Sequence, residues 1–533
     1  MDGQVNQIDG VTNPHDAVPE DGHGPIPPRY WWLKRISIGV GVLLVALVFL
    51  RLWWGWEADR RLQAEIDRIV ASGEPFYPED YIRDVPDEQN AALLYEQAAG
   101  ALRADPNSEI DVADVCFDSE ECEKHLDEAR VLIELNAPVV DFVRRARALP
   151  EVSWKNPGVT QAQLSAALVL FSADRQVARI LQLAAYLHFR DGNHDQFVET
   201  ILDMIAHGEA LAQRPILIAS LVAWACEFLP LRMIGEYSGE LVVDQETASN
   251  EIRPVRRRTV ESLISVLLDV QGLVGAYNAT RNGERTLGYD MYAQLLNPLS
   301  GRSSSLAELV FSLPFRVYQE PLLKLELARL MRAETDFILS TEESWPATKA
   351  RLKGVRASVG LVRSLARPVS ESQILQSGNP TNRLIYLLYK LIMLRRLNAI
   401  GLAIRLFELD HGGRPETLAL LVPDYLPSVP IDPFAADGAE IRYVRESGRD
   451  RLYSVGRNGL DDGGERIEGK DIVFDEQPDF VLYLDASPES TQSAQESAPT
   501  SSGQTIENNQ RAKNKRGHAG DDDDREDQPQ HRK

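Results

Sequence analysis

Cysteine is scarce in this chain, with three in 533 residues. Three thiols are too few for the disulfide framework that holds many small secreted proteins together. Cys116 and Cys122, in VCFDSEEC, are close enough in sequence to bridge a short loop in an oxidising compartment. A zinc site made of these two thiols and nearby His125 is the alternative, and it lacks a fourth ligand. Cys226, in the apolar stretch AWACEF, is predicted to be a core residue.

Basic residues are also in deficit. The chain has 57 Lys and Arg against 80 Asp and Glu, which gives a formal net charge of -23. A protein that binds a nucleic acid duplex needs a basic surface to neutralise phosphates and release counterions. We therefore predict that nucleic acid is not a partner, and we attribute the acidic surplus to solvated faces.

The usual catalytic signatures are missing from the sequence. There is no G-x-S-x-G, H-E-x-x-H, P-loop or complete EF-hand pattern. His188, His194 and His207 flank one helical turn, but scattered surface or capping histidines explain them better than a metal site. This favours a protein that is not an enzyme. The rival is a hydrolase of envelope polymers whose acids lie in the helical region, although the abundant Asp and Glu single out no pair.

One apolar segment predicts a membrane span. The uncharged run from Ile36 to Leu50 is about 15 residues, short of the ~20 that a spanning helix needs. Arg51 can snorkel, and paired tryptophans on both sides resemble interfacial aromatic belts. We predict one transmembrane helix over residues 36–56, preceded by a cytoplasmic tail, 1–35. A cleaved signal peptide is the alternative, but bulky Trp follows the run where small residues would be expected. Basic residues are balanced across the span, so charge alone does not set its orientation.

Helical patterns dominate the region after the span, which we predict to be one helical domain, residues 57–383. Leu62, Ile66 and Ile69 share a helical face that ends near Gly73, so the anchor continues as a stalk. Farther along, Pro138, DGNHD at 191–195 and Arg214-Pro215 break the pattern into consecutive antiparallel helices. The expected architecture is a set of helical hairpins, arranged as a bundle or an irregular α-solenoid.

The pattern from about Leu391 onward is more specific. A helix, RRLNAIGLAIRLFELD, leads into HGGRPETLALLVPDYLPSVPIDPF, the strand-like AEIRYVRE and DRLYSVG, and then NGLDDGG and KDIVF. This order resembles the C-terminal half of the major pseudopilin of type II secretion systems. Residues 413–415 match its turn, 430–434 its P-x-D-P loop and 453–456 its last strand. The resemblance implies a small α+β module with an antiparallel sheet, residues 384–485, and a calcium-binding loop.

The resemblance also implies the calcium ligands. The acidic positions of the pseudopilin loop match Asn458, Asp461 or Asp462, and Asp471. Asn458 stands where an Asp is usual, which removes one negative charge and should weaken binding. The alternative is a polar hairpin without an ion, because N-G followed by D-D-G-G also suits a turn with positive φ angles.

The departures from the pseudopilin pattern limit the functional expectation. A pseudopilin begins with a short basic leader and a processing site before its apolar helix, whereas this chain has PPRYWWLKR there. We therefore expect no filament subunit.

The layout also resembles a group of membrane-anchored helical proteins of bacteria. We expect a single-pass protein of the cytoplasmic (inner) membrane, with most of the chain outside the cytoplasm, acting in binding or scaffolding. An accessory factor of type II-like secretion is a further alternative.

Residues 486–533 have almost no apolar side chains and are predicted to be disordered.

The cysteine spacing generates a first testable prediction. In protein purified without reductant, Cys116 and Cys122 should form a disulfide, and alkylation under denaturing conditions should modify Cys226 alone. After reduction all three thiols should react. Three reactive thiols before reduction would contradict both the disulfide and the oxidising compartment.

Overall fold

The computed structural model describes residues 30–104, 122–244, 252–296, 320–336, 339–340, 343–352, 380–446, 449–464 and 479–484. Within these residues the protein is mainly helical and has one small antiparallel sheet near its C-terminal end. This confirms the predicted mainly α class. The predictions for Cys116, for Asp471 and for a disordered tail at 486–533 concern residues outside the described ranges.

The first helix, α1 (Trp31–Ala71), combines the predicted span and stalk in one element of 41 residues. At 1.5 Å per residue it is about 60 Å long, which exceeds the ~30 Å hydrocarbon core of a bilayer. All residues from Trp31 to Leu50 are exposed, whereas Leu62, Ile66 and Ile69 are buried. The stalk prediction is therefore confirmed.

A helical body follows α1. Its elements are α2 (Ala91–Ala101), α3 (Leu126–Leu135), α4 (Ala137–Arg147), α5 (Gln161–Arg190), α6 (His194–Ala212), α7 (Leu217–Tyr237), α8 (Arg257–Leu268), α9 (Gln271–Leu296) and α10 (Glu320–Asp336). The predicted breaks are confirmed. Pro138 lies in the first turn of α4, where its missing N–H costs no helical hydrogen bond. Asn193 caps α6, and Arg214-Pro215 separates α6 from α7. Because α5, α6 and α7 pack in succession across short turns, they form helical hairpins.

The predicted α+β region begins with α11 (Pro380–His411) and continues into β1 (Arg442–Val444), β2 (Arg451–Ser454) and β3 (Phe480–Tyr483). The sheet order is β1-β2-β3, and both pairings are antiparallel. Arg442 lies opposite Tyr453, and Ser454 lies opposite Phe480. The first two strands match the sequence expectation. The third is formed by FVLY, which the sequence reading did not single out, and KDIVF lies outside the described residues.

The helical body and the sheet share one continuous hydrophobic core. It contains Trp224 of α7, Tyr277 of α9, Leu388 of α11 and Leu452 of β2, all buried. A second, smaller cluster joins the stalk to the body, with Leu62 and Ile66 of α1 packed beside residues of α10. Lys324 of α10 also pairs with Asp59 of α1 at 2.5 Å. The anchor helix is therefore part of the folded structure.

Among the described residues, three segments are long and apolar enough to cross a membrane. They are Trp31–Ala71, Leu217–Glu240 and Arg257–Gln294, with 0%, 61% and 44% of their most apolar window buried in the protein. In the second, Glu227 is fully buried and pairs with Arg395 of α11. A buried ion pair and a buried window are features of a core helix. Of these three described segments, α1 alone has an apolar window that faces outward entirely.

Candidate functional site

Asp432, in the P-x-D-P stretch, organises the region around the predicted calcium loop. Its carboxylate is fully buried and accepts hydrogen bonds from the amides of Phe434 (2.9 Å) and Val455 (2.9 Å) and from the Ser454 hydroxyl (2.7 Å). Arg442 of β1 adds a charged contact at 3.3 Å. These bonds connect residues 432–434 to the end of β2, and so they fix where the following loop begins.

That loop, residues 456–464, is called the acidic loop below. All four of its glycines have positive φ angles: Gly456 (62°), Gly459 (73°), Gly463 (81°) and Gly464 (64°). At the last of these, a Cβ would lie 2.7 Å from the Tyr453 ring, so only glycine fits. The backbone thus has the turn geometry that the hairpin alternative predicted.

The predicted ligands in the acidic loop already have hydrogen-bond partners. The Asn458 side chain accepts from the Leu460 amide (2.9 Å) and donates to Asp462 (2.9 Å). Asp461 accepts from the Gly463 amide (3.0 Å). These short-range bonds stabilise the turn. They also occupy oxygens that a cation would need.

Asp479, just before β3, is a residue that sequence reasoning missed. Its Oδ2 accepts from the amides of Asp462 (3.0 Å) and Gly464 (2.8 Å), so it closes the acidic loop from the other side. Its Oδ1 is buried and has no hydrogen-bond partner among the described residues, and the residue is 8% exposed. Burial, together with the negative charges of Asp462 and Asp461, raises the pKa of Asp479 to about 6.

Arg442 supplies one positive charge of the site. Its Nε lies 2.9 Å from Asp461 Oδ2, and its Nη1 lies 3.3 Å from Asp432 Oδ2. The guanidinium also lies 5.9 Å from the centre of the Tyr453 ring. The Arg442 guanidinium therefore bridges the buried Asp432 and the acidic loop.

Among the described residues, no group of three or more His, Cys, Asp or Glu is placed to hold a metal ion. The carboxylates of the acidic loop are close enough to interact electrostatically, but they do not converge on one point as they stand. Asp471, the fourth predicted ligand, lies outside the described residues. Calcium binding at this loop stays a prediction.

Two of the three cysteines, Cys122 and Cys226, lie in the described residues, and they differ in bonding state. Cys122 is buried and disulfide-bonded, so its thiolate is not available to zinc. Cys226 is free and buried in the core. Cys116 lies outside the described residues, and its pairing with Cys122 stays a prediction.

The three histidines do not form a site. His194 accepts a hydrogen bond from the Val242 amide (3.0 Å) and stacks on Phe189. His207 is 1% exposed and packs against Tyr95, and neither of its ring nitrogens has a hydrogen-bond partner within the described ranges. Burial, with the nearby charge of Arg214, lowers the pKa of His207 to about 3. It is a neutral core residue.

The buried acids of the helical body are paired with arginines. Asp174 accepts a hydrogen bond from Arg214 (3.1 Å), while Asp203 accepts one from Arg144 and forms an ion pair with Arg147 at 3.2 Å. Burial raises the pKa of both carboxyls to about 6, although the arginines oppose the shift. The first pair connects α5 to the turn between α6 and α7, the second connects α6 to α4, and neither lends support to a catalytic pair.

Comparisons of the chain with protein-family models, with curated proteins and with solved structures found no match. The resemblance to pseudopilins therefore rests on the sequence motifs alone.

The buried neutral His207 generates a prediction about pH. The unfolded chain takes up a proton near pH 6.5, whereas the folded protein does not until about pH 3, so His207 destabilises the fold as pH falls below about 6.5. His207→Met removes this effect. Between pH 7 and pH 5 the variant should gain up to about 2 kcal/mol relative to the natural protein.

The measurement is thermal unfolding of both proteins in detergent at several pH values. The raised pKa values of Asp174 and Asp203 act in the opposite direction, but they are common to both proteins and cancel in the difference. Replacing the exposed His411 with Gln is the control and should give no such pH-dependent gain. A constant difference between His207→Met and the natural protein would contradict the assignment.

Proposed function

We propose that this protein is a single-pass, membrane-anchored binding or scaffolding protein whose helical body and sheet lie outside the cytoplasm. The observation that carries the proposal is the divided burial of α1. Its apolar first half is exposed on all sides, while its last turns pack into the body. An exposed apolar surface of this length needs a lipid environment.

The other two apolar segments support a single span because they have roles in the core. Leu217–Glu240 contains the buried Glu227, which Arg395 neutralises. In Arg257–Gln294, the buried Arg285 pairs with Glu74 at 2.8 Å. Charged pairs to other parts of the body hold these helices there, and lipid would leave such pairs without their partners.

Two observations support an extracytoplasmic body in a bacterial inner membrane. Cys122 is disulfide-bonded, and disulfides persist in oxidising compartments. The pseudopilin-like pattern of the C-terminal region is the second, since pseudopilins present this module outside the cytoplasm.

Site-directed labelling tests the topology. Lys155→Cys places a thiol on an exposed side chain of the body, and Ala17→Cys places one in the N-terminal tail. In intact spheroplasts a membrane-impermeant maleimide should label the first variant and should label the second only after lysis. The unmodified protein, whose Cys226 is buried, is the background control. The reverse labelling pattern would place the body in the cytoplasm.

Purification from solubilised membranes distinguishes the alternatives. Recovery of secretion components with the natural protein, but not with a variant lacking residues 413–484, would favour a role in type II-like secretion. Degradation of an envelope polymer by the purified protein would favour a hydrolase. A reproducible envelope partner without such activity is the outcome expected for a scaffold.

A second candidate function is calcium binding at the acidic loop, and Asp479 is the observation that favours it. Its Oδ1 is a buried carboxylate oxygen that has no hydrogen-bond partner in the described part of the chain, and it lies within electrostatic range of Asp461 and Asp462. Calcium takes six to eight oxygen ligands and tolerates irregular geometry. Asp479 would supply one ligand, and the loop acids would supply others after giving up their present bonds. A bound cation would remove the cost of a buried, incompletely bonded carboxylate.

Replacing Asp479 with Asn tests this candidate. Calcium at millimolar concentration should raise the melting midpoint of the natural full-length protein in detergent, because a ligand of the native state stabilises it. In Asp479→Asn, which retains an oxygen for the two backbone amides, the rise should be reduced by at least half. The rise should also diminish as pH falls below about 6, since protonated Asp479 binds cations poorly.

Asp424→Asn is the matched control, because it removes the same charge from an exposed position of the same region. Its calcium response should equal that of the natural protein. An equal response in Asp479→Asn would exclude Asp479 as a ligand.

A further inference from the structure

We infer that Arg442 is the built-in counter-ion of the acidic loop and competes with any metal cation for Asp461. This inference rests on the calcium candidate above, and it concerns what controls that site. The juxtaposition that carries it is a guanidinium held between two carboxylates, one at the surface of the loop and one in the core.

The two carboxylates that contact Arg442 differ in burial and in their other hydrogen bonds. Asp432 is fully buried and already accepts three other hydrogen bonds, so its position does not depend on Arg442. Asp461 is about half exposed, and its Oδ2 pairs with Arg442 at 2.9 Å. The guanidinium is thus fixed from the core side and presented to the loop.

The position of Arg442 follows from the sheet register. It lies on β1 opposite Tyr453 of β2, and its side chain reaches across that residue toward the loop that follows β2. A charge delivered by a neighbouring strand does not move with the loop. It therefore remains available to Asp461 whatever cation is in solution.

Charge balance explains why Arg442 and a metal ion compete. Asp461, Asp462 and Asp479 place three carboxyl groups within electrostatic range of one another, and Asp479 interacts unfavourably with the other two. Arg442 offsets part of this repulsion without any ion. A divalent cation would offset more, but it must take Asp461 from Arg442 and overcome repulsion from the guanidinium. In the natural protein, calcium affinity is then reduced.

The test measures calcium affinity of the full-length protein in detergent, by titration calorimetry and by the calcium dependence of the melting midpoint. Arg442→Gln, which removes the charge and keeps a polar side chain, should bind calcium roughly threefold to tenfold more tightly than the natural protein. Without calcium the same variant should melt at a lower temperature. Arg442→Lys, whose ammonium does not bridge two carboxylates in the same way, should lie between them.

Arg445→Gln is the control. Arg445 pairs with Asp450 and Glu416, away from the acidic loop, so its loss should not change calcium affinity. In an Asp461→Asn background, Arg442→Gln should add little to the affinity, because the contested ligand is gone.

The outcomes separate this inference from the calcium proposal. Tighter binding by Arg442→Gln supports the inference, including the case in which the natural protein binds no calcium. Equal or weaker binding by Arg442→Gln and Arg442→Lys overturns it, even if the natural protein binds calcium. If Arg442→Gln does not fold, Arg442→Lys alone decides between these results.

Discussion

The buried guanidinium of Arg395 is the interaction on which the arrangement of the protein depends. It lies at the centre of α11, is fully buried, and pairs with Glu227 of α7 and with Glu209 of α6 at 2.7 Å. It also donates to the carbonyls of Val266 (3.3 Å) and Asp269 (2.9 Å). A buried charge is tolerated only when its partners are in place, because desolvation costs several kcal/mol per ion. α11 can therefore dock on the body in one rotation and at one height.

Because α11 leads directly into the sheet, that docking also positions the acidic loop. β2 packs on α11, and Phe434 from the P-x-D-P stretch packs against Phe480 of β3. At the opposite end of the chain, α1 enters the body through its own buried face and its pair between Asp59 and Lys324. The exposed apolar helix α1 and the acidic loop are thus parts of one packed structure, as the proposed scaffold would require in order to present a site at a set distance from a membrane.

The elements predicted correctly from the sequence are those with local causes. The stalk ends near Gly73 because glycine adopts the positive φ needed there, and Pro138 starts a helix because the first turn needs no N–H at that position. The site depended on contacts that local patterns do not contain. Asp479 contacts the acidic loop from a position just before β3, a strand of four residues that has no alternation of polar and apolar side chains. Arg442 reaches it through a strand pairing whose register cannot be read from single residues.

The distinction between local turn geometry and contacts from distant residues also bears on whether the acidic loop binds a cation or is a polar hairpin. Its glycines and its Asn458 and Asp461 turns have the geometry of a hairpin, and they would be needed in either case. What differs is the source of positive charge. A hairpin closed by Arg442 needs no ion, since the guanidinium stabilises Asp461 from a fixed strand. Among the described residues, the Oδ1 of Asp479 is buried and has no hydrogen-bond partner. If the loop binds calcium as proposed, the balance between Arg442 and Asp479, rather than the number of acids in the loop, would decide how strongly the cation is held.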